Sequence, residues 1–358
     1  MLRAPGPSNH CAAGLSGPAA FVCMLIVAFA GGCAREDDPG TRAGGGADRD
    51  HRTVAIREIG LDLPVAQERA EFSGLDWWGD RLVLLPQYPA IFAPDGHAAL
   101  PTIPRSRLES YLSGEDTTAI RPEMVPFEDG GLPERVVGWD GYEAIAFDGD
   151  RVFLTIECLT HAEWTAVLVR ASVSFDPLRI VVDAETRRMI PGASKRPNFT
   201  EEASFVVDGR VTTIHELNGR RVNAEPVALR FDEDLVPLGT WTMPAIEYRV
   251  TDATSLDAEG RFWVFNQFWP GEARVVGARE DAFATQDRPP GRPVERVVPL
   301  RLVDGRIVLD PTRPLVELVL RTDDVARNWE GLARWNDEGL LIVTDRHPRT
   351  IFAFVQWQ

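Results

Sequence analysis

Short apolar runs alternate with polar turns along this chain, and the clearest case lies near its end. From Asn328 to Pro348 the sequence reads NWEGLARWNDEGLLIVTDRHP. An apolar stretch, Gly331 to Trp335, runs into a polar turn, Asn336-Asp337-Glu338-Gly339, and a second apolar stretch follows, Leu340 to Val343. Two such runs around a Gly-containing turn predict a β-hairpin. Glu330 stands before the first strand and Asp345 after the second. Antiparallel pairing sets a hairpin's start beside its finish, so these two acids are expected side by side.

Four more segments carry the same frame: Ser73 to Gln87, Glu143 to Glu157, Glu202 to Glu216 and Ala253 to Gln267. In all four an arginine follows the turn, namely Arg81, Arg151, Arg210 and Arg261, eight residues after the opening position and six before the closing one. The copy at Glu330 has one extra turn residue. Further β-rich runs follow each hairpin, such as AVLVRASVSF and RIVVDAE after the second. A repeated unit of about four strands predicts an all-β fold, a β-propeller. Five copies imply five four-stranded blades, with room for a sixth after Gln87 or after Gln267. The last copy is short of strands, and Thr53 to Leu61 supplies one. The N-terminal strand is therefore expected to pair into the last blade and close the ring, leaving no long free edge. A β-sandwich is the alternative. No stretch has the period of a long amphipathic helix, which excludes an α/β fold, and RSRLESYL alone reads as a helical turn.

In a propeller the first strand of each blade lines the axis. The opening residues (Ser73, Glu143, Glu202, Ala253, Glu330) and the closing residues (Gln87, Glu157, Glu216, Gln267, Asp345) are thus expected at one mouth of the channel. That gathers six carboxyls: Glu143, Glu157, Glu202, Glu216, Glu330 and Asp345. Such a cluster persists when some acids are protonated, when water solvates them, or when a cation neutralises them. Oxygen ligands alone favour a hard cation, so Ca²⁺ is the expected metal and these six its expected ligands. A wet, polar rim without metal is the alternative. Arg346 and His347 directly follow Asp345 and are candidates for holding a phosphate or carboxylate, while His215 beside Glu216 is a candidate proton carrier. Each has a surface or packing role as its plainer reading. No nucleophile elbow, phosphate-binding loop or dinucleotide motif is present.

Composition narrows the partners. The chain has 358 residues, 44% hydrophobic, and a formal net charge of −16. That charge argues against nucleic acid and against an anionic membrane face. The first residues read as an export signal: Phe21 to Ala30 is an apolar run too short to span a bilayer. It ends Ala30-Gly31-Gly32-Cys33, which resembles a bacterial lipobox. The resemblance implies that residues 1–32 are removed and that Cys33 is acylated, an anchor of more than one acyl chain. Residues 33–51 then form a flexible tether and residues 52–358 the propeller. Cys158, with no partner thiol left, reads as a packed structural cysteine.

The frame of an acid, a small residue, an apolar pair, a Gly turn and a closing acid resembles the phytase-like, esterase-like propeller proteins of bacteria. Glu330-Gly331-Leu332-Ala333 matches most nearly and Glu143-Ala144-Ile145-Ala146 next. The resemblance implies an extracytoplasmic, calcium-bound hydrolase of phosphoesters or esters, with Glu143, Glu202 and Glu330 as channel acids. Ser73 and Ala253 depart from it, since two blades lose the acid. The expectation is a monomeric, lipid-anchored envelope protein acting on a small anionic ester. Its rivals are a non-catalytic scaffold for an envelope protein and a propeller that binds a cationic ligand.

Overall fold

Leu340, Leu341, Ile342 and Val343 are all fully buried. Their strand, Gly339–Thr344, is therefore covered on both faces, and an unbroken apolar run is what such a strand requires. The computed structural model describes residues 50–92, 98–161, 163–276, 281–284, 291–322 and 325–357. Cys33, the expected export signal and nearly all of the expected tether lie outside the described residues.

The described strands group into five units of antiparallel hairpins, each starting from an inner strand. The inner strands are Phe72–Trp78, Trp139–Asp148, Glu201–Val207, Arg249–Ala253 and Trp329–Trp335. Each packs against the next, and the fifth packs against the first, so they close a ring. The fold is a β-propeller. Among the described residues, the strands in the stretches with room for a sixth unit join the first and fourth units. Ala98–Pro104 and Glu123–Glu128 complete the first blade, and Val294–Val303, Arg306–Leu309 and Leu315–Leu318 complete the fourth. The helical turn expected in RSRLESYL is a nine-residue helix, Arg105–Ser113.

Closure follows the expectation and adds to it. Arg57–Glu58 pairs antiparallel with Phe352–Gln356 on the outer edge of the fifth blade. Just upstream, His51–Val54 pairs in parallel with Leu315–Leu318 of the fourth blade. One N-terminal segment thus ties two blades together. Aromatic side chains fill the seams between blades: Phe205 of the third packs on Phe262 of the fourth at 4.7 Å between ring centroids.

Every inner strand carries a β-bulge at the same place, and this sets the register of the site. The residue left unpaired is Ser73, Glu143, Glu202, Thr251 and Glu330 in turn. A bulge bends its strand and re-aims one side chain. The fourth opening residue is therefore Thr251, not Ala253. The cause is turn length: this hairpin's first strand ends at Ala253 and its second begins at Arg261, a longer loop than the two-residue turns Gly79-Asp80 and Gly149-Asp150. Aligning the copies on the arginine after the turn hides this offset.

After each bulge the inner strands come close together. A Cβ on Gly331 would fall 2.6 Å from Val343 and 2.8 Å from Leu75. The fourth blade places Asp252 at this tight position, and its buried carboxylate ties three strands. Oδ2 accepts from the amides of Leu332 at 2.6 Å and Leu75 at 3.3 Å, and Oδ1 accepts from Ala253 at 2.8 Å. Asp76 does the same nearby, accepting from the amide of Phe147 at 2.7 Å and from the Ser255 hydroxyl at 3.0 Å.

Candidate functional site

The bulges aim Glu143, Glu202 and Glu330 at one mouth of the ring, where they line a cavity of about 360 Å³ with Glu157 and Asp345. Glu71 and Asp140 line it too. Glu216 sits just behind, fully buried. The six acids picked out from the sequence are therefore brought together.

Their charge is met by Arg249, one strand position before Val250 and the bulge. Its guanidinium spans the third, fourth and fifth blades. Nε donates to Glu216 Oε1, Nη2 to Glu330 Oε1 at 2.9 Å, and Nη2 lies 3.7 Å from Glu202 Oε2. Nη1 donates to Asn328 Oδ1 at 3.2 Å and to Glu272 Oε1 at 3.4 Å. Burial would make this guanidinium easier to deprotonate, but the surrounding carboxylates override that and hold it charged.

The two blades without an opening acid serve their neighbours instead. Ser73 Oγ donates to the carbonyl of Tyr142, and Thr251 Oγ1 donates to the carbonyl of Trp329, at 2.6 and 2.7 Å. Those carbonyls directly precede Glu143 and Glu330. The closing amides act in parallel: Gln87 Nε2 donates to Glu143 at 2.9 Å and Gln267 Nε2 to Glu330 at 3.4 Å. Hydroxyls and amides thus hold the bulges of the next blade, where further acids would have repelled them.

Burial dominates the electrostatics. It pushes Glu157 up to about 8, helped by the charge of Glu216 and opposed by the Thr200 hydroxyl. Burial likewise raises Glu330 to about 8, with Arg249 opposing. Glu143 and Glu202 lie well above the usual carboxylate range for the same first reason, with neighbouring acids adding to it. Asp345 is raised by burial, while the Asn328 amide and the charge of Arg346 hold it down. At neutral pH the cavity therefore presents protonated carboxyls, Glu157 and Glu330 among them.

The fit of a metal can be tested on these residues. Among the described residues, no set of three or more His, Cys, Asp or Glu side chains is arranged to hold an ion. The place among Glu202, Glu216 and Glu330 is taken by Arg249. The acids as arranged do not fit the expected Ca²⁺ ligand set, because their counter-cation belongs to the chain.

The other candidates separate. His215 is buried and does not line the cavity, because strand alternation turns it to the opposite face from Glu216. Its Nδ1 accepts from the amide of Leu217 at 2.9 Å, and burial lowers its pKa to about 4, so it is neutral. Arg346 lines the cavity and pairs with Glu71 at 3.1 Å. His347 is exposed and lines a neighbouring cavity instead. Cys158 is buried, with its thiol 3.3 Å from the carbonyl of Thr165. Sequence reasoning missed Arg249, Asn328, Tyr88 and Asp140. The signal for Arg249 was its position two residues before a bulge, which becomes visible only in the correct register.

No protein-family model matches the chain, and no curated protein sequence matches it. Its strand arrangement is similar to that of several solved structures. The soluble aldose sugar dehydrogenase of Escherichia coli is 10% identical over 86% of this chain and 100% of its own, with a TM-score of 0.42. A mannose phosphorylase of Leishmania mexicana is 10% identical over 86% and 89%, with a TM-score of 0.43. A GH32 β-fructofuranosidase of Bombyx mori is 10% identical over 86% and 61%, with a TM-score of 0.42. Likeness at this level concerns the course of the chain and carries no chemistry.

Proposed function

We propose that the cavity is the acid–base site of a hydrolase acting on a small neutral molecule through an ester or acetal bond. The observation that carries this reading is the placement in one cavity of Glu157, which burial pushes up to about 8, and Asp345, which accepts from the Asn328 amide and directly precedes Arg346. In the proposed step Asp345 takes a proton from water, whose oxygen bonds to the carbon centre. Glu157 gives its proton to the departing oxygen as the old bond breaks, and solvent restores both groups. A neutral substrate is part of the proposal: burial leaves several of the seven lining acids uncharged, and the two arginines, Arg249 and Arg346, are already paired with carboxyls, so an anion finds no free counter-charge. This replaces the anionic ester expected from the sequence. The anchor is part of the same proposal, with acylated Cys33 holding the propeller outside the cytoplasm.

A second reading rests on Arg249. Its saturation by carboxylates suits a non-catalytic propeller whose acids only hold the ring, displayed as an envelope scaffold or ligand-binding module.

The deciding experiment assays the purified chain on aryl esters, aryl glycosides and phosphomonoesters, with and without Ca²⁺, beside its Glu157→Gln and Asp345→Asn variants. Turnover of a neutral substrate that falls ~10²-fold or more in both variants supports acid–base hydrolysis. Absence of any variant-sensitive turnover leaves the scaffold reading. Turnover confined to phosphomonoesters with Ca²⁺ restores the calcium-dependent expectation. Incorporation of a labelled fatty acid, lost in Cys33→Ser, tests the anchor.

A further inference from the structure

A second cavity of about 250 Å³ adjoins the acidic one and shares Arg249, Asn328, Asp345 and Arg346 with it. Its character differs, because its wall includes Phe268 and Trp269. Trp269 leaves 57% of its surface exposed, unusual for the largest apolar side chain beside a polar cleft. The indole rests on the turn Pro270–Glu272: a Cβ on Gly271 would fall 2.8 Å from its six-membered ring. The same turn sends Glu272 to Arg249, so the aromatic wall is tied to the centre of the acidic site. Two carboxyls, Glu272 and Asp345, also line this second cavity and are only part-buried, so each can accept a further hydrogen bond.

An aromatic face beside part-open carboxyls matches one kind of ligand. We propose that this cavity is a second subsite for a neutral hydroxylated ring, whose flat C–H face lies on Trp269 and whose hydroxyls donate to Asp345 and Glu272. A productive ligand would span both cavities, with the scissile bond beside Glu157 and Asp345. This deepens the hydrolase reading and rests on it for the scissile bond, while the binding part stands separately. An anion gains little here, since the arginines of the lining are already paired, Arg249 with Glu216 and Glu330, Arg327 with Glu295 and Arg346 with Glu71, and a purely apolar ring leaves both carboxyls unused.

Binding of methyl glycosides of common hexoses and pentoses, of benzyl alcohol and of glycerol is measured on the purified full chain by calorimetry and saturation-transfer NMR. At least one glycoside is expected to bind, ~10-fold more weakly to Trp269→Ala and within about 3-fold of wild type to Trp269→Phe. Gly271→Ala displaces the indole without removing it and is expected to weaken binding similarly, with the melting temperature of both variants reported alongside. Binding of no glycoside, or equal binding by wild type and Trp269→Ala, overturns the subsite. Benzyl alcohol binding as tightly as any glycoside, and dependent on Trp269, overturns the hydroxyl part. Trp269-dependent glycoside binding without any hydrolysis sustains the subsite and sinks the hydrolase reading instead.

Discussion

Arg249 Nη2 donates to Glu330 Oε1 at 2.9 Å across the seam between the fourth and fifth blades. The same guanidinium holds Glu216 of the third, so one cation binds three blades. Removing one partner from a buried ionic network leaves uncompensated charge. Arg249→Met is therefore expected to cost about 3–5 kcal/mol in denaturant unfolding at pH 8. At pH 5 the loss is expected to be smaller, because the orphaned acids can protonate. A loss of equal size at both values would show that the arginine stabilises by packing alone.

Stability itself carries a pH signature. Glu157 and Glu330 titrate at about 8 when folded, against an ordinary value of 4.5. Their folded pKa is raised, so the folded state binds more protons between those limits. Their contribution is full below about 4.5 and is lost as pH rises through about 8. Thermal melts from pH 5 to pH 9 should show a falling melting temperature, and Glu157→Gln should flatten the slope. A melting temperature that rises over this range contradicts the assignment.

Asp252 is expected to matter more to folding than to chemistry. Asp252→Ala strands three buried amide donors, those of Leu75, Ala253 and Leu332. Each unsatisfied buried group costs roughly 1–3 kcal/mol, so this variant should unfold at markedly lower denaturant or fail to accumulate. Asp252→Asn keeps one acceptor oxygen and should fall between the two. Wild-type stability for the alanine variant would remove the strand-tying role.

Calcium gives a clean contrast between expectation and geometry. With Arg249 as the counter-cation, EDTA should leave the melting temperature within about 1 °C, and millimolar Ca²⁺ should add nothing by mass action. A rise of several degrees with Ca²⁺, lost in Glu330→Gln, would return a metal to the mouth of the ring.

Much of this architecture was legible in the chain. The hairpins at Glu143, Glu202 and Glu330, the all-β class and the closure of the ring by the N-terminal strand all follow from period-two runs and turn residues, which act between near neighbours. The turning of His215 away from Glu216 was legible too, since adjacent residues of a strand face opposite ways. The fourth copy was misplaced by two residues because its turn is longer, and an arginine after a turn does not report the length of the loop before it.

The counter-charge could not be read in this way. Arg249 reaches Glu216, 33 positions earlier, and Glu330, 81 positions later. Nothing in the local pattern around any of the three marks them as partners. Hydrogen bonding and turn chemistry are settled within a hairpin, whereas which charges share a buried space depends on how the blades stack around the ring. The chain's own pattern thus specified where the acids point, and the packed ring settled what neutralises them.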